Sequence, residues 1–265
     1  MSITIITPVY NGAAHIRPTL ESLLQQKGKA DFEHVVMDSC SKDGTGDIVR
    51  EYEGKYGVQL LSEKDDGLYD AIAKGLSRAK GDIFCWINAG DTYMPWTLSV
   101  VEKVFAANPD IEWISGVPSI FFEEQQTLEL SMIPPAFNRW VIRKGYHNGR
   151  DLPYLQQESM FWRRSLWERS GADRLLRGQG RGKGYAMDYH LWKLFAQHAE
   201  LKTVRSVLAA FSVAEGQISE KFRAEYSREC GVENPVPKPL WRTTYPWMVY
   251  SFLRVHKTIN VRRLK

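Results

Sequence analysis

The sequence predicts an α/β protein built on a mostly parallel sheet flanked by helices. Two observations carry this. Strand-like apolar runs recur four times in the first half at roughly 25–30-residue spacing, each followed by a polar turn and a segment of helical period. The fourth run, residues 83–87, holds Phe84 and Trp86 and no breaker, as a strand buried on both faces requires.

Residues 3–7 form the first strand-like run, which is expected to break at Pro8 because proline has no N–H for a ladder. Asn11-Gly12 then leads into a helix carrying Ile16, Leu20, Leu23 and Leu24. Residues 32–37 are the second strand, closing on the turn Asp38-Ser39-Cys40-Ser41-Lys42-Asp43-Gly44-Thr45; its helix bears Ile48, Val49 and Tyr52. Asp43, followed by Gly44-Thr45, suits shaping of that turn or capping of the helix. A third run, 58–61, ends in acids and Gly67 and restarts as a helix with Leu68, Ile72, Leu76 and Ala79 at helical spacing. The fourth strand stops at Asn88-Ala89-Gly90-Asp91, before Pro95 opens another helix. Ligands of open α/β sheets bind beyond the carboxyl ends of the strands. The acidic clusters at 62–75 and 88–91 both fall there, where a polyphosphate and a divalent cation can be held together.

At 265 residues the chain can bury a full core as one enzyme-sized domain. No linker or low-complexity tract divides about the first 215 residues. The formal charge of +4 is too small to suggest nucleic acid, and the cations are concentrated late, in 174–183 and 254–265. Cys40, Cys85 and Cys230 are few, unclustered and odd in number, which suits a reducing compartment and offers no metal-binding spacing. Met1-Ser2 runs straight into a strand, so no signal peptide is visible. No apolar stretch reaches the ~18 residues of a spanning helix, and the expected location is cytoplasmic.

Four motifs in order, residues 3–11, the turn 38–45, the cluster 63–75 and Asn88-Ala89-Gly90-Asp91, together resemble family 2 glycosyltransferases of the GT-A fold. The bacterial exopolysaccharide and lipopolysaccharide enzymes, including the colanic-acid type, are most similar, over about the first 220 residues. The resemblance implies a GT-A, Rossmann-like central sheet and transfer of a sugar from a nucleotide-diphosphate donor, UDP- or GDP-linked, to a hydroxyl with inversion at the anomeric carbon. The implied acceptor is a saccharide or lipid-linked saccharide in bacterial surface polysaccharide assembly. Such a site must hold a nucleotide, neutralise a diphosphate and orient a hydroxyl for in-line attack.

By this resemblance Thr7, Pro8 and Tyr10 line the base pocket and the Asp38 carboxylate accepts a hydrogen bond from base or ribose; otherwise Thr7-Pro8 ends a strand and Asp38 is a turn residue. Asp65 and Asp70 approach the nucleotide. Lys74 is either the i,i+4 partner of Asp70 or a cation for the diphosphate. The Asn88-Ala89-Gly90-Asp91 turn departs from the commoner Asp-x-Asp form, leaving Asp91 as the one anionic residue, with Asn88 beside the nucleotide. One carboxylate suffices for Mg²⁺ or Mn²⁺ when substrate phosphates complete the shell. The metal is therefore expected to bind with the donor rather than before it.

In Leu155-Gln156-Gln157-Glu158, Gln156 occupies a place where the family carries His, and Gln157 remains as a hydrogen-bonding residue. A helix beginning near Tyr185 buries Met187, Leu191, Leu194 and Phe195 and leaves Asp188 in its first turn. By the resemblance, the acid at this place is the usual candidate for general base. A helix N-terminus weakens a carboxylate as a base, and an apolar wall from Met160, Phe161 or Trp192 would raise its pKa again. Asp188 can instead be a helix cap. Glu158 is the reserve base, and His190 belongs to the surface or the acceptor side with Gln157.

The glycine-rich, cationic loop 177–184 suits either a lid over the diphosphate or a solvated loop. Ala214 stands where a family segment often carries His, which removes one metal ligand. The division expected is a catalytic domain over 1–220, with a nucleotide half (1–116) and an acceptor half (117–220), and a helical, aromatic and basic extension over 221–265. Trp241, Tyr245, Trp247 and Tyr250 with Arg254, Lys257, Arg262 and Arg263 suit peripheral contact with an anionic membrane at the inner face of the cell membrane; the alternative is a helix packed on the domain with a basic end. Two rival classes remain. A nucleotidyltransferase would carry a Gly-rich basic phosphate loop after the first strand, which residues 7–12 lack. A catalytically inactive GT-A-fold binding or scaffold protein is favoured by the reduced acidic motif and opposed by the joint presence of Asp38, Asp65, Asp91 and Asp188.

Overall fold

The computed structural model describes residues 1–130, 137–177, 184–213, 221–232 and 258–259. Most of the 177–184 loop, Ala214 and nearly all of the aromatic and basic tail lie outside the described residues.

The first half runs β1 (Ile3–Val9), α1 (Ile16–Leu24), β2 (Phe32–Asp38), α2 (Thr45–Tyr56), β3 (Gln59–Ser62), α3 (Leu68–Arg78) and β4 (Ile83–Trp86). Then come β5 (Thr92–Tyr93), α4 (Thr97–Ala107), β6 (Trp113–Ser115), β7 (Ser119–Phe122), β8 (Thr127–Leu130) and α5 (Arg139–Lys144). A 3-10 turn at Gln157–Ser159 leads into β9 (Met160–Arg163), α6 (Arg164–Ser170), α7 (Ala172–Arg177) and α8 (Met187–His198). The described chain closes with β10 (Leu201–Val204), β11 (Ala209–Val213), α9 (Arg223–Glu229) and β12 (Thr258–Ile259).

The central sheet has the order β12-β10-β6-β9-β4-β1-β2-β3. Its pairs are parallel except those of β9, which runs antiparallel to both β4 and β6. A second sheet, β5-β11-β7-β8, brings β11 beside the turn that follows β4. Of the extension expected over 221–265, α9 is a helix and Thr258–Ile259 add an edge strand to the central sheet.

β1 does not break at Pro8. It continues to Val9 because its β4 neighbour pairs only Ile3–Ile6, while β2 follows it to Val9. Ile6 turns its carbonyl toward the β4 side, where it accepts from Ile87, and Pro8, two residues on, turns the same way. Proline thus stands where no neighbour asks for its missing N–H.

Helices cover both faces, as a doubly wound sheet requires. Ile16 and Leu20 of α1 and Val49 and Tyr52 of α2 meet Val9 and Val36 on one face. α3 lies on the other, close enough that a β-carbon at Gly75 would come within 2.8 Å of Ile6 Cδ1. Only glycine permits that approach. Further along, Trp192 of α8 stacks on Trp86 of β4 at 5.7 Å and on Trp113 of β6 at 5.9 Å, and Trp162 of β9 meets Trp86 edge-on at 5.4 Å. These rings bury large apolar areas and fix α8 against three strands.

Candidate active site

The polar turns of β1 to β4 open at the carboxyl end of the sheet, and each acid expected there has a defined setting. Asp38 closes β2. It is buried, its carboxylate accepting from the N–H of Ser41 at 3.1 and 3.2 Å, from the Ser41 hydroxyl, and from Ser62 Oγ at 2.7 Å. β2 and β3 are thereby tied together at the cleft.

Thr7 is fully buried and its Oγ1 lies 2.9 Å from His34 Nε2, so its side chain joins β1 to β2 rather than facing solvent. Pro8 is buried within β1, and Tyr10 is 66% exposed just beyond it. Asp43 takes the role expected of it, its Oδ2 accepting from Ala13 N at 2.9 Å and its Oδ1 from Thr45 N at 3.1 Å. The Thr45 hydroxyl, and then the Ala13 N–H, hold its carboxyl below the usual range.

After β3, Asp65 Oδ1 accepts the N–H of Gly67 at 2.9 Å and so shapes the start of α3. Asp70 accepts the N–H of Asp66 at 3.0 Å and pairs with Lys74 at 2.8 Å. Burial pushes the Asp70 carboxyl up, but Lys74 and the Asp66 N–H outweigh it and the net shift is downward. Lys74 also donates to the Lys64 carbonyl at 2.9 Å, which binds the acidic turn to α3.

The turn after β4 is the most heavily braced. Gly90 adopts φ +110°, a left-handed conformation that favours glycine, and its N–H donates to Thr19 Oγ1 at 2.9 Å. The Thr19 hydroxyl in turn donates to the Asp91 carbonyl at 2.7 Å. Asp91 is 5% exposed, and its Oδ1 accepts the N–H of Ser212 in β11 at 3.0 Å. Asn88 Nδ2 donates to Gln157 Oε1 at 2.9 Å, and Gln157 Nε2 donates to the Trp86 carbonyl at 2.7 Å.

Glu158, the next residue, is 2% exposed. Burial pushes its carboxyl well up, and the charge of Asp91 adds to the effect; burial likewise raises Asp91. Asn88 Oδ1 and Glu158 Oε1 are buried with no hydrogen-bond partner among the described residues. Oxygen-only donors of this kind fit a hard divalent cation, with Asp91 as the carboxylate that would hold it. Among the described residues no cluster of three acids, histidines or cysteines closes a metal cage. Substrate phosphates would therefore have to complete the shell.

Asp188 sits in the first turn of α8, inside the helix rather than at its cap position, which Ala186 holds with no side-chain cap bond. Its half-buried carboxylate instead accepts from Tyr226 Oη at 3.2 and 3.1 Å and from Tyr69 Oη at 3.2 Å. Burial pushes its carboxyl up to about 6, against the opposing pull of the Tyr189 N–H and the two hydroxyls. The side-chain hydroxyls bonded to it are thus those of tyrosines, while Trp192 is committed to the tryptophan stack. His190 is half-buried two residues on, and burial lowers it.

Tyr69 and Tyr226 carried no recognisable signal in the sequence. They lie 119 and 38 residues from Asp188, and only the packing of α3 and α9 brings them to it.

A sheet of this order, with one reversed strand and the acids gathered at the carboxyl ends of β2 to β4, has the GT-A glycosyltransferase architecture. The chain belongs to Glycosyl transferase family 2, whose sequence profile matches residues 4–168. It is 34% identical over 104 residues to the putative teichuronic acid biosynthesis glycosyltransferase TuaG of Bacillus subtilis, covering 38% of this chain and 39% of that protein. The matched stretches span 28–39% of the first curated relatives' own length. Among solved structures, S. aureus TarS superposes with a TM-score of 0.62 at 19% identity, covering 90% of this chain and 67% of that one. A mannosyltransferase from Pyrobaculum calidifontis, solved with GDP-Man and Mn²⁺, superposes with a TM-score of 0.60 at 22% identity, covering 90% and 66%. At these identities the likeness speaks for the fold.

Proposed function

We propose that the protein is an inverting glycosyltransferase that moves a sugar from a UDP- or GDP-linked donor to a hydroxyl of a saccharide or lipid-linked saccharide in bacterial surface polysaccharide assembly. The observation that carries this reading is the setting of Asp188. Its carboxyl is raised to about 6, near neutrality, where a general base works best. It is tied through Tyr69 to α3, the helix that starts at the acidic turn after β3. A base beside a nucleotide-facing turn is what in-line transfer needs.

In this reading Asp38, Asp65 and Asn88 face the nucleotide and Tyr10 offers an exposed ring at the end of β1. Gln157, Glu158 and His190 belong to the acceptor side. The acceptor hydroxyl gives its proton to Asp188 as its oxygen bonds to the anomeric carbon. The bond from that carbon to the diphosphate oxygen breaks on the opposite face, releasing the nucleoside diphosphate and an inverted glycoside. A divalent cation held by Asp91, when bound, neutralises the leaving diphosphate. The ligands of similar structures support the donor class: TarS was solved with UDP-GlcNAc and with UDP, and the mannosyltransferase with GDP-Man and Mn²⁺.

Among the described residues no helix is long and apolar enough to cross a membrane. The aromatic and basic tail supports peripheral contact with anionic lipid. The inactive-scaffold alternative separates cleanly from transfer. Calorimetric titration with UDP, GDP, dTDP and CMP, with and without Mg²⁺ or Mn²⁺, should show metal-enhanced binding of UDP or GDP; binding of none of the four would favour the scaffold.

A further inference from the structure

The family profile ends at residue 168, yet the carboxylate assigned as the base and the helix packed over it both lie beyond that point. α9 meets the start of α8 in three ways. Tyr226 Oη lies 3.2 and 3.1 Å from the two oxygens of Asp188. Glu229 Oε2 accepts the N–H of Ala186, the residue before α8, at 2.8 Å. Tyr226 and Cys230 pack with Ala186 and Tyr189 in a small apolar cluster. From the other side Tyr69 of α3 reaches the same carboxylate, its single proton shared between Asp188 Oδ1 and the Tyr185 carbonyl, each at 3.2 Å. Tyr154 braces the Tyr226 ring edge-on, with centroids 5.2 Å apart.

We propose that Tyr226 and Tyr69 are positioning residues that clamp the Asp188 carboxylate from α9 and α3, so that the segment following the family domain completes the active site. This rests on the reading of Asp188 as the base. Two hydroxyls donating to a carboxylate fix its rotamer and leave the remaining lone pairs to meet an acceptor hydroxyl. Both phenols are pushed well up by burial and then by the charge of Asp188, so they remain donors throughout the working range. Through α3 the clamp also links the acidic turn after β3 to Asp188.

The groups that interact with Asp188 are Tyr69 from α3, Tyr226 from α9 and Cys230 just after it, Glu158 from the 3-10 turn, and Tyr154 before it, with Glu229 of α9 close by on the Ala186 N–H. Hydrogen bonds to the ionised form lower a carboxyl pKa. Removing the Tyr226 hydroxyl should therefore raise the midpoint of Asp188 by about one pH unit.

The test is an NMR titration of the full chain labelled with ¹³C at the aspartate carboxyl carbons, the Asp188 resonance being assigned by its loss in Asp188→Asn. The midpoint should rise in Tyr226→Phe and, by less, in Tyr69→Phe, with nucleotide affinity unchanged. A hydroxyl that serves packing alone would lower the melting temperature and leave the midpoint where it was, which would overturn the proposal. Should Tyr226→Phe fail to fold, Tyr69→Phe carries the same test. The titration needs no substrate, so its failure is distinguishable from failure of the base reading, which sugar transfer by Asp188→Asn would reveal.

Discussion

The N–H of Ser212 lies 3.0 Å from Oδ1 of Asp91, a bond that spans 121 residues and joins the second sheet to the turn after β4. It fixes one carboxylate oxygen, and an asparagine at 91 keeps the same acceptor. Asp91→Asn therefore removes charge without removing the brace. Two unit charges about 4 Å apart at an effective dielectric of about 20 interact by about 4 kcal/mol. The metal-dependent gain in nucleotide affinity should fall at least about tenfold, read by calorimetry with and without Mn²⁺. Unchanged metal dependence would place the cation elsewhere.

The raised carboxyl of Asp188 sets the pH dependence of both activity and stability. As a base it must be ionised, so kcat/KM should fall about tenfold per pH unit below a midpoint near 6. For stability the sign is opposite. The native state holds this proton more tightly than the unfolded chain, whose carboxyl titrates near the ordinary 3.8. This group's contribution to stability is present below about 4, is lost as pH rises through 6, and is absent above it. Urea unfolding between pH 4 and 7 should show that component in the wild type and not in Asp188→Asn.

Trp192 is 1% exposed and stacks on two other tryptophans. Trp192→Ala should cost about 3–5 kcal/mol of unfolding free energy, measured by urea titration. Trp192→Phe, which keeps a ring in the stack, should cost less. Since α8 carries Asp188, the alanine variant should also lose transfer at temperatures where it remains folded.

Truncation before Trp241 removes the aromatic and basic tail together with β12. Sedimentation with vesicles containing anionic lipid should drop for the truncated chain, and more at low salt, where surface charge acts furthest. A thermal melt in parallel reports the loss of the β10–β12 pairing separately. Full retention on vesicles would defeat the membrane reading.

The fold of the first half was legible because its signals are local: apolar runs, helical stripes and turn residues within about 30 residues of one another. Pro8 misled the strand boundary because a missing N–H matters only where a neighbouring strand faces it, and that depends on where β4 ends. The acidic turns could be placed at the carboxyl ends of strands from sequence order alone. Their bracing could not. Ser212 reaches Asp91, Thr19 reaches Gly90 and Tyr226 reaches Asp188 across distances that carry no period. An apolar wall is expected to raise the Asp188 carboxyl; burial does raise it, and the Tyr226 and Tyr69 hydroxyls, which no local pattern announces, pull the other way.

The most direct test of Asp188 as the base compares wild type and Asp188→Asn in one preparation each. Mn²⁺-dependent release of nucleoside diphosphate from the UDP- or GDP-sugar identified by the titrations is measured beside calorimetric nucleotide affinity. The asparagine keeps an oxygen for Tyr226 and Tyr69 but cannot take a proton. The expected result is a fall in turnover of about 10²–10⁴-fold with nucleotide affinity within about twofold of wild type. Undiminished turnover would contradict it.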